Sequence, residues 1–354
     1  MNLEKIAKLA GVSKSAVSLA LNGKPGVSAE TRKRIIQIAQ EHGYTLKSKT
    51  GMNTRTNKVL TFLAFTNTGL VQQQYYEQPF FRELIQYIEE RCSSHGYSLL
   101  YSTISTNELE NNHDTTMEKI RGNGLILLGT NLSAEQLTKL VHIMSPHAVV
   151  LDTMYETFPI HFVGINNYMG GYQAGEFLCD LGHKRFGYLA SSERIRNFDE
   201  RKRGFMAALT ERHTKIPDVA VFTLTPSMIP AQEEFREQLS QYLDSGNILP
   251  TAFFCECDYI AIGAIKAMQS LGIRIPEDVS VVGFDNISEA TIITPEMTTI
   301  HVAKRQLAYQ AVDLLVRSLE QEDEAKQKIL VDTRLIKRNT ASHPTIEQEC
   351  VRNS

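Results

Sequence analysis

Apolar positions fall into two patterns along this chain. In the first forty-five residues they recur at helical spacing, with Leu3, Ile6, Ala7 and Ala10 at i, i+3, i+4 and i+7. Asn2 can cap that helix and Gly11 follows it, where a left-handed turn costs little. Ser13 then caps a second short helix, Lys14 to about Leu21, with Val17 and Leu21 inward. Asn22, Gly23 and Pro25-Gly26 break the chain. Ser28 opens a third helix with Ile35, Ile38 and Ala39 inward, and Gly43 ends it.

From residue 59 the pattern changes to short apolar runs alternating with amphipathic stretches. Predicted strands are Val59–Phe65, Tyr97–Ser102, Leu125–Leu128, Val149–Leu151, Phe186–Ala190, Phe253–Cys255 and Val279–Phe284. Predicted helices are Phe80–His95, Gly170–Leu181, Gly204–Arg212 and Ala261–Leu271. Repeated β–α units imply parallel sheets covered on both faces, with enough chain for two of them. Between the two patterns, residues 45–58 are small and polar and form a linker.

Charge sharpens this division. The whole chain of 354 residues carries only -3, but residues 1–58 hold eight Lys and three Arg against three Glu, a net +8. The remainder therefore carries −11. A basic helical head on an acidic body is the asymmetry of a polyanion-binding module attached to something else. No apolar run approaches the ~18 residues of a membrane helix, which excludes an integral membrane protein. Five scattered cysteines suit a reducing, cytoplasmic setting rather than a disulfide framework. Lys5 and Lys8 before small apolar residues resemble a signal peptide, but Lys14 and Ser18 interrupt its apolar core.

Three short helices with a glycine turn between the first two read as a helix-turn-helix, whose second helix enters the major groove N-terminus first. That end is Ser13-Lys14-Ser15, hydroxyls and an ammonium suited to phosphates and base-edge acceptors. The stretch Gly11-Val12-Ser13-Lys14-Ser15-Ala16-Val17-Ser18-Leu19-Ala20-Leu21-Asn22-Gly23, followed by Val27-Ser28-Ala29-Glu30-Thr31-Arg32, resembles the headpiece of the lactose-repressor (LacI/GalR) family of bacterial transcription regulators. The resemblance continues in order through Pro79-Phe80-Phe81, Leu181-Gly182-His183-Lys184, Arg201-Lys202-Arg203-Gly204-Phe205, Gly272–Val279, Val281–Asn286, Thr294-Pro295 and Thr298-Thr299-Ile300. It covers about residues 2–340.

The resemblance implies an N-terminal all-α helix-turn-helix headpiece and an α/β core of the two-lobed, periplasmic-binding-protein-like type I fold, in which the chain crosses between lobes three times. The expected divisions are residues 1–45 for the DNA-binding domain, 46–58 for the hinge, 59–340 for the effector-binding and dimerisation domain, and 341–354 for a polar tail. It implies a homodimeric, cytoplasmic repressor. Its partners would be a pseudo-palindromic double-stranded DNA operator and a small-molecule effector, a sugar or related metabolite, with a role in carbohydrate metabolism. On DNA the expected contacts are Ser13, Lys14, Ser15, Ser18, Asn22 and Tyr44. The chain departs from the family where Ala16 replaces Thr and Leu19 replaces Arg, which shifts base reading toward Lys14 and Ser15. The linker also lacks the usual wedge leucine, with Met52 the only apolar candidate.

Ligands of open α/β sheets sit beyond the carboxyl ends of strands. Asp285 directly follows a predicted strand, and by resemblance it is a cleft carboxylate; Arg201 stands where the family's arginine donates to sugar or ribose hydroxyls. Phe81 matches a ring-stacking position, Asn166 replaces a usual aspartate, and Cys257 a frequent asparagine. Asp258 is read as the cap of the helix after it. The loop from Asn67 to Gln78, with its glutamines and tyrosines, can lid or crowd the cleft. Cys255 and Cys257 form a lone C-x-C without metal-ligand spacing, so no metal and no cofactor is expected. No G-x-S-x-G, P-loop or H-E-x-x-H pattern occurs, which argues against an enzyme. Rival readings are an exported solute-binding protein and a regulator controlled by a protein corepressor.

Overall fold

The computed structural model describes residues 3–21, 26–41, 58–66, 70–71, 74–111, 124–212, 219–321 and 325–345. Asn22, Tyr44, Met52 and the linker up to residue 57 lie outside these. The chain divides into two units, Met1–Lys58 and Val59–Ser354.

The first unit contains α1 (Leu3–Ala10), α2 (Lys14–Leu21) and α3 (Ala29–Glu41). Their small core is Ile6, Ala7, Ala10, Val17, Ala20, Ile35 and Ala39. Ala20 takes the fully buried place expected of Leu21, which is only half-buried.

The second unit is a pair of lobes, each built on a six-stranded sheet. The strands of the first lobe are β1 (Lys58–Thr66), β2 (Tyr97–Ser105), β3 (Leu125–Leu128), β4 (Ala148–Leu151), β5 (His161–Ile165) and β11 (Lys328–Val331). Those of the second are β6 (Phe186–Ser191), β7 (Val219–Leu224), β8 (Ala252–Cys255), β9 (Ser280–Asp285), β10 (Thr298–Val302) and β12 (Thr333–Ile336). Their orders are β11-β5-β4-β3-β1-β2 and β12-β10-β9-β8-β6-β7. Neighbours from β11 through β1 and from β10 through β7 pair in parallel, whereas β12 runs antiparallel to β10. The chain therefore passes between lobes three times, after β5, after β10 and after β11, as the resemblance implies.

Central strands such as β3 and β4 are buried at every residue, while the edge strand β7 alternates. That is why the central strands read as continuous apolar runs. Helices α4 (Pro79–Ser94), α5 (Thr106–Asn111), α6 (Ala134–Val141), α7 (Asn167–Asp180), α8 (Arg196–Arg212), α9 (Met228–Asp244), α10 (Asp258–Ser270) and α11 (Lys304–Glu320) cover the sheets. Arg91 on α4 grips Asp313 on α11 with two bonds of 2.7 and 2.8 Å.

The helix pair α7–α8 positions Arg201. A Cβ on Gly171 would strike the Arg201 carbonyl oxygen, and one on Gly204 would strike the Tyr168 carbonyl oxygen. Glycine at both positions lets the helix backbones touch and sets the height at which Arg201 leaves α8.

Residues 341–345, read as the start of a polar tail, are laid along the second lobe. The Ser342 amide donates to Ser280 Oγ at 3.0 Å, and Thr345 Oγ1 donates to the Glu277 carbonyl at 2.7 Å. His183 lies beneath this strip, fully buried, with Nδ1 3.0 Å from Thr251 Oγ1 and Nε2 3.0 Å from the Ser342 carbonyl. A carbonyl only accepts, so Nε2 carries the proton. Burial lowers the His183 pKa to about 4.

Candidate functional site

In the headpiece, Gly11 takes φ +64 and turns α1 into α2, and the Val12 amide donates to the Ala7 carbonyl at 3.0 Å. Ser13 is the cap, its Oγ accepting from the Ala16 amide at 3.1 Å. Capping starts the helix at Lys14 and leaves Lys14 and Ser15 exposed on its first turn. Lys14 Nζ lies 2.6 Å from Glu4 Oε1, with both side chains more than half exposed. The ammonium holds the Glu4 carboxyl below its usual range through a hydrogen bond and its charge. Ser18 is half-buried, and Leu19 is half-buried with its Cδ1 close to Gly26. Arg34 Nη2 donates to the Ala10 carbonyl at 2.9 Å and ties α3 to the end of α1.

In the core, the carboxyl ends of strands from both lobes meet at one pocket. Its lining includes Thr130 after β3, Asp152 after β4, Cys257 after β8 and Asp285 at the end of β9. Helix starts supply Phe80, Phe81, Asn197, Phe198, Arg201 and Tyr259. Free volume in the pocket is about 30 Å³, room for a water or two rather than for the ~300 Å³ or more of most ligand sites. The two lobes touch across it. The Phe80 amide donates to Tyr259 Oη at 3.2 Å, and Asn197 Nδ2 donates to the Asp152 carbonyl at 2.9 Å.

Arg201 is the centre of the arrangement and is buried. Its Nε donates to Asn167 Oδ1 at 2.9 Å, Nη1 to the Glu256 carbonyl at 2.5 Å, and Nη2 lies 3.1 Å from Asp285 Oδ1. The guanidinium stacks 3.7 Å above the Phe284 ring centroid. Glu256 is itself pinned, its carboxylate accepting from Tyr188 Oη at 2.7 Å and from Arg194 Nη1 at 2.7 Å.

Asp152, Asp285 and Asn286 all have positive φ, +65, +111 and +50. Non-glycine residues seldom adopt such angles, and they gather at functional sites. Burial raises the Asp152 carboxyl to about 7, against the pull of Thr130, whose hydroxyl donates to Oδ2 at 2.6 Å, and of Arg201. Burial also raises Asp285, opposed by Arg201 and Lys304. Lys304 Nζ donates to the carbonyls of Asp285 (3.2 Å) and Asn286 (3.1 Å) and pairs with Glu83 at 3.2 Å.

Of the predicted cleft residues, Phe81, Arg201, Cys257 and Asp285 come together in this pocket, and Asn166 does not. Asn166 caps α7, accepting from the Met169 amide at 3.2 Å, and its Nδ2 donates to Asp332 at the third crossing. The neighbouring Asn167 reaches Arg201 instead. Cys257 is buried, and burial pushes its thiol up, so it packs rather than reacts. Asp258 is not the cap of α10: Cys257 occupies that position. The Asp258 carboxylate accepts from Thr299 Oγ1 at 2.6 Å and from the Ile287 amide at 3.0 Å, and burial raises its pKa to about 8.

Sequence reasoning missed Asp152, Asn197, Thr130 and Tyr259, whereas Leu70 and Gln78, from the loop expected to lid or crowd the cleft, line the pocket. Asp152 had a signal, since it follows the apolar run Ala148–Leu151 just as Asp285 follows Val281–Phe284. Among the expected DNA contacts, Ser13, Lys14, Ser15 and Ser18 sit on the start and body of α2.

Comparison with known proteins bears on both units. Residues 2–46 match the family model "Bacterial regulatory proteins, lacI family", and residues 176–341 match "Periplasmic binding protein-like domain". The chain is 31% identical over 341 residues to the HTH-type transcriptional repressor PurR of Pasteurella multocida (strain Pm70), covering 96% of this chain and 98% of that one. Among solved structures, a transcriptional regulator CelR–cellobiose complex superposes with TM-score 0.68 at 23% identity, covering 96% of this chain and 100% of that one. A lac repressor dimer bound to operator and the anti-inducer ONPF gives TM-score 0.68 at 24% identity, covering 97% and 99%.

Proposed function

The chain belongs to the lacI family of bacterial regulatory proteins and is a DNA-binding transcriptional repressor of that family, not an enzyme; from that premise we propose that a small metabolite in the inter-lobe pocket sets its affinity for the operator. The metabolite is a sugar or a compound of similar size with ring-borne hydrogen-bond donors. The observation that carries this reading is the Arg201–Asp285 pair, buried between aromatic rings at the meeting of β9 and α8. Aromatic faces suit the apolar faces of a ring, and the carboxylates of Asp152 and Asp285 suit its donors. Cellobiose in the CelR neighbour is consistent with a ligand of this kind.

The protein acts as a cytoplasmic homodimer on a pseudo-palindromic site, because two-fold symmetric headpieces read two half-sites. None of the described helices is long and apolar enough to cross a membrane. Lys14 and Ser15 read bases from the start of α2, Ser13 and Ser18 contact phosphates, and Asn22 and Tyr44 add contacts outside the described residues. In the cleft, Arg201 holds Asp285 and retains N–H groups for a ligand oxygen, since a guanidinium carries five donors. A ligand that prefers one separation of the lobes shifts the population of that state, and operator affinity shifts with it.

Thermal-shift screening of the full chain against sugars, nucleosides and nucleobases tests this reading, followed by gel shifts on bound DNA. A hit that also changes operator affinity is the expected result. Uniform silence with intact DNA binding would favour a protein corepressor.

A further inference from the structure

Gln78, the residue before α4, has one satisfied end and one bare end. Its Nε2 donates to the Leu70 carbonyl at 3.1 Å. Because that carbonyl can only accept, the amide orientation is settled. Among the described residues its Oε1 is buried with no hydrogen-bond partner, and Gln78 lines the inter-lobe pocket. A buried acceptor left in this state favours whatever brings it a donor.

The other polar groups of the pocket complete the pattern. Asp152 and Asp285 bring carboxylates from the two lobes, and Arg201 is the one cation among the described residues of the lining. Each of its three nitrogens already has a protein acceptor, which leaves two of its five N–H groups, and its charge is paired with Asp285. Lys304, behind Asp285, is occupied by two carbonyls and Glu83. Thr130 spends its hydroxyl proton on Asp152. Tyr259 Oη accepts from the Phe80 amide and keeps one proton to give. Acceptors outnumber uncommitted donors, and the formal charge of the lining is negative.

We propose that this cleft admits only an uncharged or cationic effector that donates hydrogen bonds to Gln78, Asp152 and Asp285 together, and that Gln78 is a specificity-determining residue. The inference rests on the effector reading above and narrows it. A phosphate or carboxylate would meet two carboxylates and a guanidinium whose charge Asp285 already balances, after losing its own hydration. A ligand lacking the donor for Gln78 would leave the orphan oxygen unpaired, the kind of mismatch that discriminates most strongly between close analogues. Burial already raises Asp152 and Asp285, so a further negative charge would oppose both.

The experiment uses matched pairs on the full chain: ribose and ribose 5-phosphate, glucose and glucose 6-phosphate, adenosine and AMP, read by thermal shift and then calorimetry. In any pair that binds, the unphosphorylated member should be at least tenfold tighter. Gln78→Leu should weaken that member about tenfold, and Gln78→Asn, which keeps an amide with both a donor and an acceptor, should lose less. An unchanged melting temperature of ligand-free Gln78→Leu shows that the fold is intact. Tighter binding of a phosphorylated member, or wild-type affinity in Gln78→Leu, overturns the proposal while leaving the effector reading standing. Silence from every pair removes the effector reading and this proposal with it.

Discussion

Two ion pairs summarise the difference between the headpiece and the core. Lys14–Glu4 in the headpiece is 2.6 Å long, with side chains 60% and 67% exposed. Arg201–Asp285 in the core is 3.1 Å long, with side chains 4% and 8% exposed. The shorter pair is the weaker one, because water and salt screen it and its partners exchange freely. A phosphate or base edge can take Lys14 from Glu4 at little cost. Arg201 has no such freedom. Three acceptors and a ring stack hold it, and removing either charge strands the other in a dry interior. On the function proposed above, the headpiece swaps partners on DNA and the cleft presents fixed groups to a ligand.

Variants at the two pairs should therefore fail in different ways. The largest effect belongs to the core. Arg201→Ala should cost about 3–5 kcal/mol of stability by leaving Asp285 uncompensated, measured by chemical denaturation. A loss below ~1 kcal/mol would mean that the pair is not the scaffold described here. Gly204→Ala, which forces α8 off the Tyr168 carbonyl, should cost about 3 kcal/mol and disturb effector response through the position of Arg201.

Acid gives the next effect. The His183 pKa falls to about 4 in the folded chain from 6.5. The unfolded state therefore takes up the proton first on acidification. The stabilisation is complete above about 6.5 and is lost as pH falls toward 4, roughly 3 kcal/mol in all. His183→Gln should flatten that part of the pH–stability curve, and an unchanged slope would place the acid sensitivity elsewhere.

Headpiece variants should leave stability nearly untouched. Lys14→Ala should weaken operator binding about tenfold and relax selectivity, with no change in melting temperature. Equal losses on specific and random DNA would make Lys14 a phosphate contact only. The smallest effect is that of Glu4→Gln, which removes the competitor for Lys14 and one negative charge near DNA. A few-fold gain on all DNA is expected, largest at low salt.

The same contrast explains what was legible in the sequence. The headpiece is local: caps, glycine turn and apolar stripe lie within forty residues, and Ser13, Ser28 and Gly11 act as their types predict. Strands buried on both faces were also legible as apolar runs. β5 was not, because it begins with a buried histidine and contains Gly164. β7 alternates as an edge strand and reads weakly on its own. The cleft was half legible. Asp285 and Arg201 stand in recognisable peptides, but their partners Asn167, Glu256 and Phe284 are defined only by helix packing. Gln78 could not be found from its type, since only the path of its loop leaves one amide atom paired and the other bare. Asp258 misled for a related reason: a helix-start aspartate usually caps, but this one is drawn to Thr299 and Ile287 across the sheet.

The most direct test of the account is a titration of DNA selected by the protein, followed by fluorescence anisotropy at fixed salt, with and without the compound that raises the melting temperature most. It should be run on the wild type and on Asp285→Asn. The account predicts at least a tenfold change in DNA affinity for the wild type and less than twofold for Asp285→Asn, with both proteins folded. No change in the wild type, or an equal change in the variant, would contradict control of the operator through the cleft.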